Sequence, residues 1–130
     1  MSFAAGAPQP SWSKDLIAGP EASAEARWFL NTAVAHLRLD EELKIATLLV
    51  SELTSNAVRH GGGAPGSWVG LTITDTGPFV RVAVCDQGPG FDPAEIDWRG
   101  HRGGLFLLDT LAYDWGIERN AAGTEVWFEI

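Results

Sequence analysis

The feature that most constrains this chain is a change of hydrophobic period across one glycine run. Leu43, Ile45, Ala46, Leu49, Val50, Leu53, Ala57 and Val58 recur at helical spacing and make a broad apolar face. Gly61-Gly62-Gly63 and Pro65 stop that pattern, and from Ser67 the period becomes two: Val69, Leu71 and Ile73, then Val80, Val82 and Val84. A helix with so wide an apolar face, followed at once by a hairpin, needs a sheet to lie on. The spacing predicts a helix over 41–60, with Asp40 as N-cap and Glu41 and Glu42 where the helix dipole favours negative charge. The hairpin turns at Asp75-Thr-Gly-Pro78.

The remaining segments fit around that unit. A short strand is expected over 12–18, broken by Gly19-Pro20, and a helix over 22–37 from Ala26, Phe29, Leu30, Ala33, Val34 and Leu37. After the turn-forming segment 86–93, Gly103-Gly104 opens an apolar run of helical pattern to Ala112. Residues 115–119 and 124–130 read as a closing strand pair joined at 120–123. The order β-α-α-β-β-loop-α-β-β predicts a two-layer α/β sandwich: one mixed, mostly antiparallel sheet with helices on one face. Residues 1–11 hold three Ala, two Pro, two Ser and a Gly, and read as a flexible lead-in to a single domain over 12–130.

Charge narrows the partners. Seventeen acidic against nine basic residues leave -8, a sign that opposes a nucleic-acid polymer or an anionic membrane as partner. The single Cys85 closes no internal disulfide, which fits a reducing compartment. No basic start precedes a long apolar segment, so a soluble, unprocessed, cytoplasmic protein is expected.

Glu52, Asn56 and His60 fall at successive i, i+4 steps and share one face of the second helix. Taken alone, that stripe also suits a solvated face ending in a dipole-complementing His. Beside a wide apolar face it suits chemistry: Glu takes a proton, and an Asn carbonyl oxygen suits Mg²⁺, which accepts few protein ligands. Asp86 ends an apolar strand and is followed by Gly88 and Gly90, giving a carboxylate acceptor beside backbone that a planar ligand can approach; taken alone, the pattern also suits an ordinary turn. Gly103 and Gly104 stand ahead of a helix, where free backbone amides offer an anion site; taken alone, the pair equally suits a flexible helix entry. Thr124 starts the last strand with a hydroxyl that suits a base edge or ordinary strand packing. No P-loop is present. His36, His60 and His101 lack metal-ligand spacing, and Trp98, in a polar segment, is a candidate partner contact.

Taken in chain order, Glu52-Leu-Thr-Ser-Asn56-Ala-Val-Arg-His60-Gly, Asp86-Gln-Gly88-Pro-Gly90, Gly104-Leu-Phe-Leu-Leu and Gly123-Thr124 resemble the boxes of the GHKL ATPase superfamily. The short lid between Gly90 and Gly103 and the ending Gly-Thr-Glu-Val-Trp-Phe-Glu resemble the small anti-sigma factor serine kinases and their actinobacterial ATP-binding relatives. The resemblance implies a Bergerat, histidine-kinase-like ATPase fold that binds ATP or ADP with Mg²⁺. It implies that Asn56 holds Mg²⁺, Glu52 is the general base, Asp86 accepts from the adenine amino group and Thr124 supports that contact. Gly88 and Gly90 would shape the adenine and lid side, His60 would close the helix near the pocket, and Gly104 and Leu105 would offer amides to the phosphates. Arg102 stands where the family has the first glycine of Gly-x-Gly, with Gly103 in the middle: either a charged phosphate donor or a rearranged lid with weaker binding. The implied function is a serine/threonine kinase that sequesters a sigma factor and phosphorylates a STAS-type anti-anti-sigma partner, with a homodimer through the first helix region. The alternative is a non-catalytic nucleotide-binding interaction module.

Overall fold

A computed structural model describes residues 9–60, 67–87, 104–120 and 123–130. In chain order these form β1 (Ser11–Ile17), α1 (Ala22–Ala33), α2 (Glu41–His60), β2 (Trp68–Asp75), β3 (Val80–Asp86), α3 (Gly104–Leu111), β4 (Asp114–Asn120) and β5 (Gly123–Glu129). The strands make one sheet in the order β1-β2-β3-β5-β4. All four ladders are antiparallel, so the mixed sheet expected from the sequence is replaced, among the described residues, by a purely antiparallel one. Hairpins connect β2 to β3 and β4 to β5, which is why antiparallel pairing dominates.

The period-two pattern of the strands becomes a two-faced sheet. Val69, Leu71 and Ile73 of β2, Val80, Val82 and Val84 of β3, and Val126 and Phe128 of β5 are buried on the helix side. Ala22, Ala26 and Leu30 of α1 meet them, with Ala46, Leu49, Val50 and Leu53 of α2 and Leu108 of α3. Each such fully buried Leu contributes roughly 1.5–3 kcal/mol through removal of its apolar surface from water. The opposite face mixes hydroxyl pairs with apolar groups: Ser11 and Thr74 hydroxyls lie 3.2 Å apart, those of Ser13 and Thr72 3.1 Å apart, while Ile17 pairs with Trp68, both exposed. There the Arg81 guanidinium covers the Trp127 ring at 3.8 Å. Trp127 lies flat against Gly116, where a Cβ would come within 2.7 Å of the indole.

The second helix runs over Glu41–His60 as its period predicts. The first ends at Ala33 rather than at Leu37. Val34 N still donates to Leu30 O, but Ala35 N then bonds Thr32 O at 3.4 Å and Leu37 N bonds Val34 O at 2.9 Å, so the chain tightens into turns. Val34 stays buried and Leu37 packs against the core, so the apolar period outlasts the helical bonding. β1 begins at Ser11, one residue before the expected strand, and Pro10 O accepts from Asp75 N at 2.9 Å. The hairpin turn is closed by Gly77 N donating to Asp75 Oδ1 at 2.9 Å, with Gly77 at φ +94. Among the described residues no helix is long and apolar enough to cross a membrane.

Candidate functional site

α2 carries the site's first component because its apolar half is committed to the core. Leu49, Val50 and Leu53 are buried against the sheet, which turns Glu52 and Asn56 to the helix flank, both half-buried. One turn separates them, about 6 Å along the axis. Glu52 has no side-chain partner among the described residues. Asn56 Oδ1 accepts a hydrogen bond from the Arg59 guanidinium at 2.6 Å. His60 closes the helix.

The second component is built by the β3–β5 ladder. Val82 and Val84 bury the strand and leave Asp86, its last residue, half-buried at the sheet's end. The register places Thr124 of β5 directly opposite, and Thr124 is 2% exposed. The two sequence-predicted residues, distant along the chain, are thus neighbours across one ladder. Gly123 makes this junction possible: its φ is +145, and a Cβ there would stand 1.8 Å from the Asp86 carbonyl oxygen. Only glycine permits β5 to start so close to β3.

A recess lies between the end of β3 and α2, reached by Asp86 but not lined by Glu52, Asn56 or Thr124. Asp86 and Gln87 line it with Ala57 and Val58 of α2, and with Ala18, Ser67, Trp68 and Val69. Its volume among the described residues is about 10 Å³, the space of a single water. α3 begins at Gly104 and packs against α2, so its first amides, Gly104 and Leu105 included, open a helix adjoining the one that bears Glu52 and Asn56. The predicted residues Gly88, Gly90, Arg102 and Gly103, with Trp98 and His101, lie outside the described residues.

Cys85, one residue before Asp86, is half-buried on the sheet face opposite the helices. Its thiol donates to Glu125 Oε2 at 3.4 Å. Burial, then the Glu125 carboxylate and its hydrogen bond, then Asp86, push its pKa up to about 12. It is a protonated thiol at neutral pH and no nucleophile. His36 packs its ring 5.5 Å from that of Trp12. Among the described residues no cluster of three or more His, Cys, Asp and Glu can hold a metal.

The donor set still fits Mg²⁺ in the way a nucleotide site uses it, through one neutral protein oxygen with phosphates supplying the rest. The Asn56 amide oxygen is already turned toward a cation, since a guanidinium has only donors to offer. Two residues of this region stood within the quoted motifs but were given no role of their own. Arg59 was signalled by its i, i+3 spacing from Asn56. Gly123 was visible only as half of a Gly-Thr pair, because its close approach to Asp86 belongs to the tertiary structure.

The crystal structure of the RsbU and RsbW domains of Rv1364c from Mycobacterium tuberculosis is similar, with a TM-score of 0.69 and 26% identity, over 95% of this chain and 32% of that one. Sensor protein LytS of Streptococcus mutans is 28% identical over 73% of this chain and 20% of its own length. The chain therefore spans about a third and a fifth of these two proteins. The histidine kinase-like ATPase domain matches residues 16–130, and with the α2 stripe and the Asp86–Thr124 ladder in place, the chain belongs to that family of nucleotide-binding domains within the GHKL superfamily.

Proposed function

We propose that this protein is an ATP-dependent serine/threonine kinase of the anti-sigma factor type. It would sequester a sigma factor and phosphorylate a STAS-type anti-anti-sigma partner, thereby regulating transcription in the cytoplasm. The observation that carries the reading is the register that sets Asp86 opposite Thr124, beside the α2 residues Ala57 and Val58 that follow Asn56. The β3–β5 ladder and the helix α2 packed on it carry Asp86, Thr124, Asn56 and Glu52, which supports reading them as adenine acceptor, supporting hydroxyl, metal-accepting amide and carboxylate base. Similarity to an RsbW domain supports the anti-sigma assignment.

In this reading Asp86 accepts from the adenine amino group, and the buried Thr124 hydroxyl holds that edge. The Gly104 and Leu105 amides meet phosphate oxygens at the start of α3, with Arg102 and Gly103 beside them and Gly88 and Gly90 on the adenine side. Asn56 Oδ1 would hold Mg²⁺, which supplies charge neutralisation on the phosphates when bound. Glu52 accepts the proton of the attacking serine hydroxyl. The acidic surface that gives -8 suits a basic patch on the sigma factor.

The test is incubation of the purified chain with Mg-ATP and its anti-anti-sigma partner. Phosphoserine or phosphothreonine on the partner, lost with Glu52→Gln while ADP still binds, is the expected result. Absence of phosphoprotein with ADP binding intact leaves the non-catalytic module in its place.

A further inference from the structure

Arg59 lies one turn beyond Asn56 on α2, is exposed, and donates to Asn56 Oδ1 at 2.6 Å. This is at the short end for an N–H···O bond and is charge-assisted. An asparagine has a single carbonyl oxygen, and a guanidinium stays charged at every pH a folded protein meets. The oxygen best suited to a hard cation is therefore already engaged by a cation of the same chain. Arg59 has no carboxylate partner among the described residues to draw it away.

We propose that Arg59 is a tethered competitor of Mg²⁺ at Asn56 and sets the magnesium concentration at which the site takes up nucleotide. The proposal rests on the reading of Asn56 as the metal ligand. Mg²⁺ binds an oxygen at about 2.1 Å and tolerates little distortion. A guanidinium on the same oxygen stands in its path and repels it, so the metal enters as Arg59 leaves. Helical attachment at i, i+3 returns Arg59 whenever the metal departs, which makes the competition intramolecular. In the metal-free state the same bond holds the amide in one orientation, with its oxygen toward a cation.

The experiment is a Mg²⁺ titration at fixed fluorescent ADP, read by anisotropy, on the intact chain and on Arg59→Ala, Arg59→Gln and Asn56→Ala. An exposed charged contact of this kind predicts a Mg²⁺ midpoint lowered about two- to fivefold in both Arg59 variants. Gln preserves helix propensity and keeps the test valid should Ala disturb the fold. A midpoint unchanged or raised in both variants overturns the proposal, as does an equal loss of ADP affinity with and without Mg²⁺, which would make Arg59 a nucleotide contact. Asn56→Ala separates the layers. If it leaves the Mg²⁺ midpoint untouched, the metal-ligand reading itself fails and this inference with it. If it abolishes the Mg²⁺ response while the Arg59 variants titrate like the parent chain, only the competitor role is lost.

Discussion

Two polar stripes run along α2 with the same spacing and opposite fates. Thr47, Ser51 and Ser55 occupy one flank, Glu52, Asn56 and His60 the other, and neighbours such as Ser51 and Glu52 point about 100° apart. Every member of the first stripe is answered by α1. Asn31 Nδ2 donates to Thr47 Oγ1 at 3.1 Å, Arg27 to Ser51 Oγ at 2.7 Å, and the hydroxyls of Ser23 and Ser55 lie 2.7 Å apart. The α1 partners are themselves four residues apart, so the two helices zip in opposite directions. In the second stripe Glu52 has no partner among the described residues, and Asn56 is met from within its own helix. Spacing thus identifies a shared face, and the partners decide whether that face closes the fold or waits for a ligand.

The strongest way to break the comparison is at Glu52. As the proposed base, its replacement by Gln should slow phosphoryl transfer by about 10²–10⁴-fold, with ADP affinity kept, in a single-turnover phosphorylation assay. An unchanged rate would leave the second stripe as ordinary as the first. Gly123→Ala comes next, because it strikes the sheet end that adjoins the stripe. A Cβ there collides with the Asp86 backbone, so β5 must part from β3 where Asp86 and Thr124 sit. Folding stability should fall by roughly 3 kcal/mol or more in urea unfolding, with nucleotide binding lost. Gly116→Ala is the control: its Cβ meets the Trp127 side chain on the other sheet face, so stability falls and nucleotide affinity does not.

Asn56→Ala sharpens the comparison by ligand. With Mg-ADP at about a hundred times its dissociation constant, the parent chain should gain about 2.7 kcal/mol, on the order of 10 °C in thermal midpoint. The variant should gain little, and its ligand-free midpoint should match the parent's, since the lost contact is an exposed one within a helix.

The sequence carried unequal amounts of this. The bounds of α2 were readable because Asp40, the first-turn acids and the glycine run agree with the apolar period. The end of α1 was not, because Val34 and Leu37 keep their place against the core after the bonding has tightened to turns. Asp86 and Thr124 were named from a resemblance between ordered motifs; their adjacency depends on a ladder register that no local pattern fixes. The α1–α2 seam went unread because Ser and Thr suit solvent, caps and interhelical bonds alike. None of the five described tryptophans is buried: Trp28 and Trp68 are exposed, and Trp12, Trp115 and Trp127 are half-buried.

The smallest expected effect tests the closed stripe. Ser55→Ala removes one hydroxyl from a part-buried pair and leaves Ser23 with its bond to the Ser51 carbonyl at 3.2 Å. Stability should therefore drop by only about 0.5–1.5 kcal/mol. Adding Ser23→Ala should cost less than the two single losses summed, because no hydroxyl is then left facing a missing partner. Neither variant should move the Mg²⁺ midpoint for ADP, since the seam bonds to α1 and Asn56 lies about 100° further round α2 with its oxygen held by Arg59. A shifted midpoint in Ser55→Ala would mean that α1 sets the position of Asn56 through the seam, and the two stripes would then be one device rather than two.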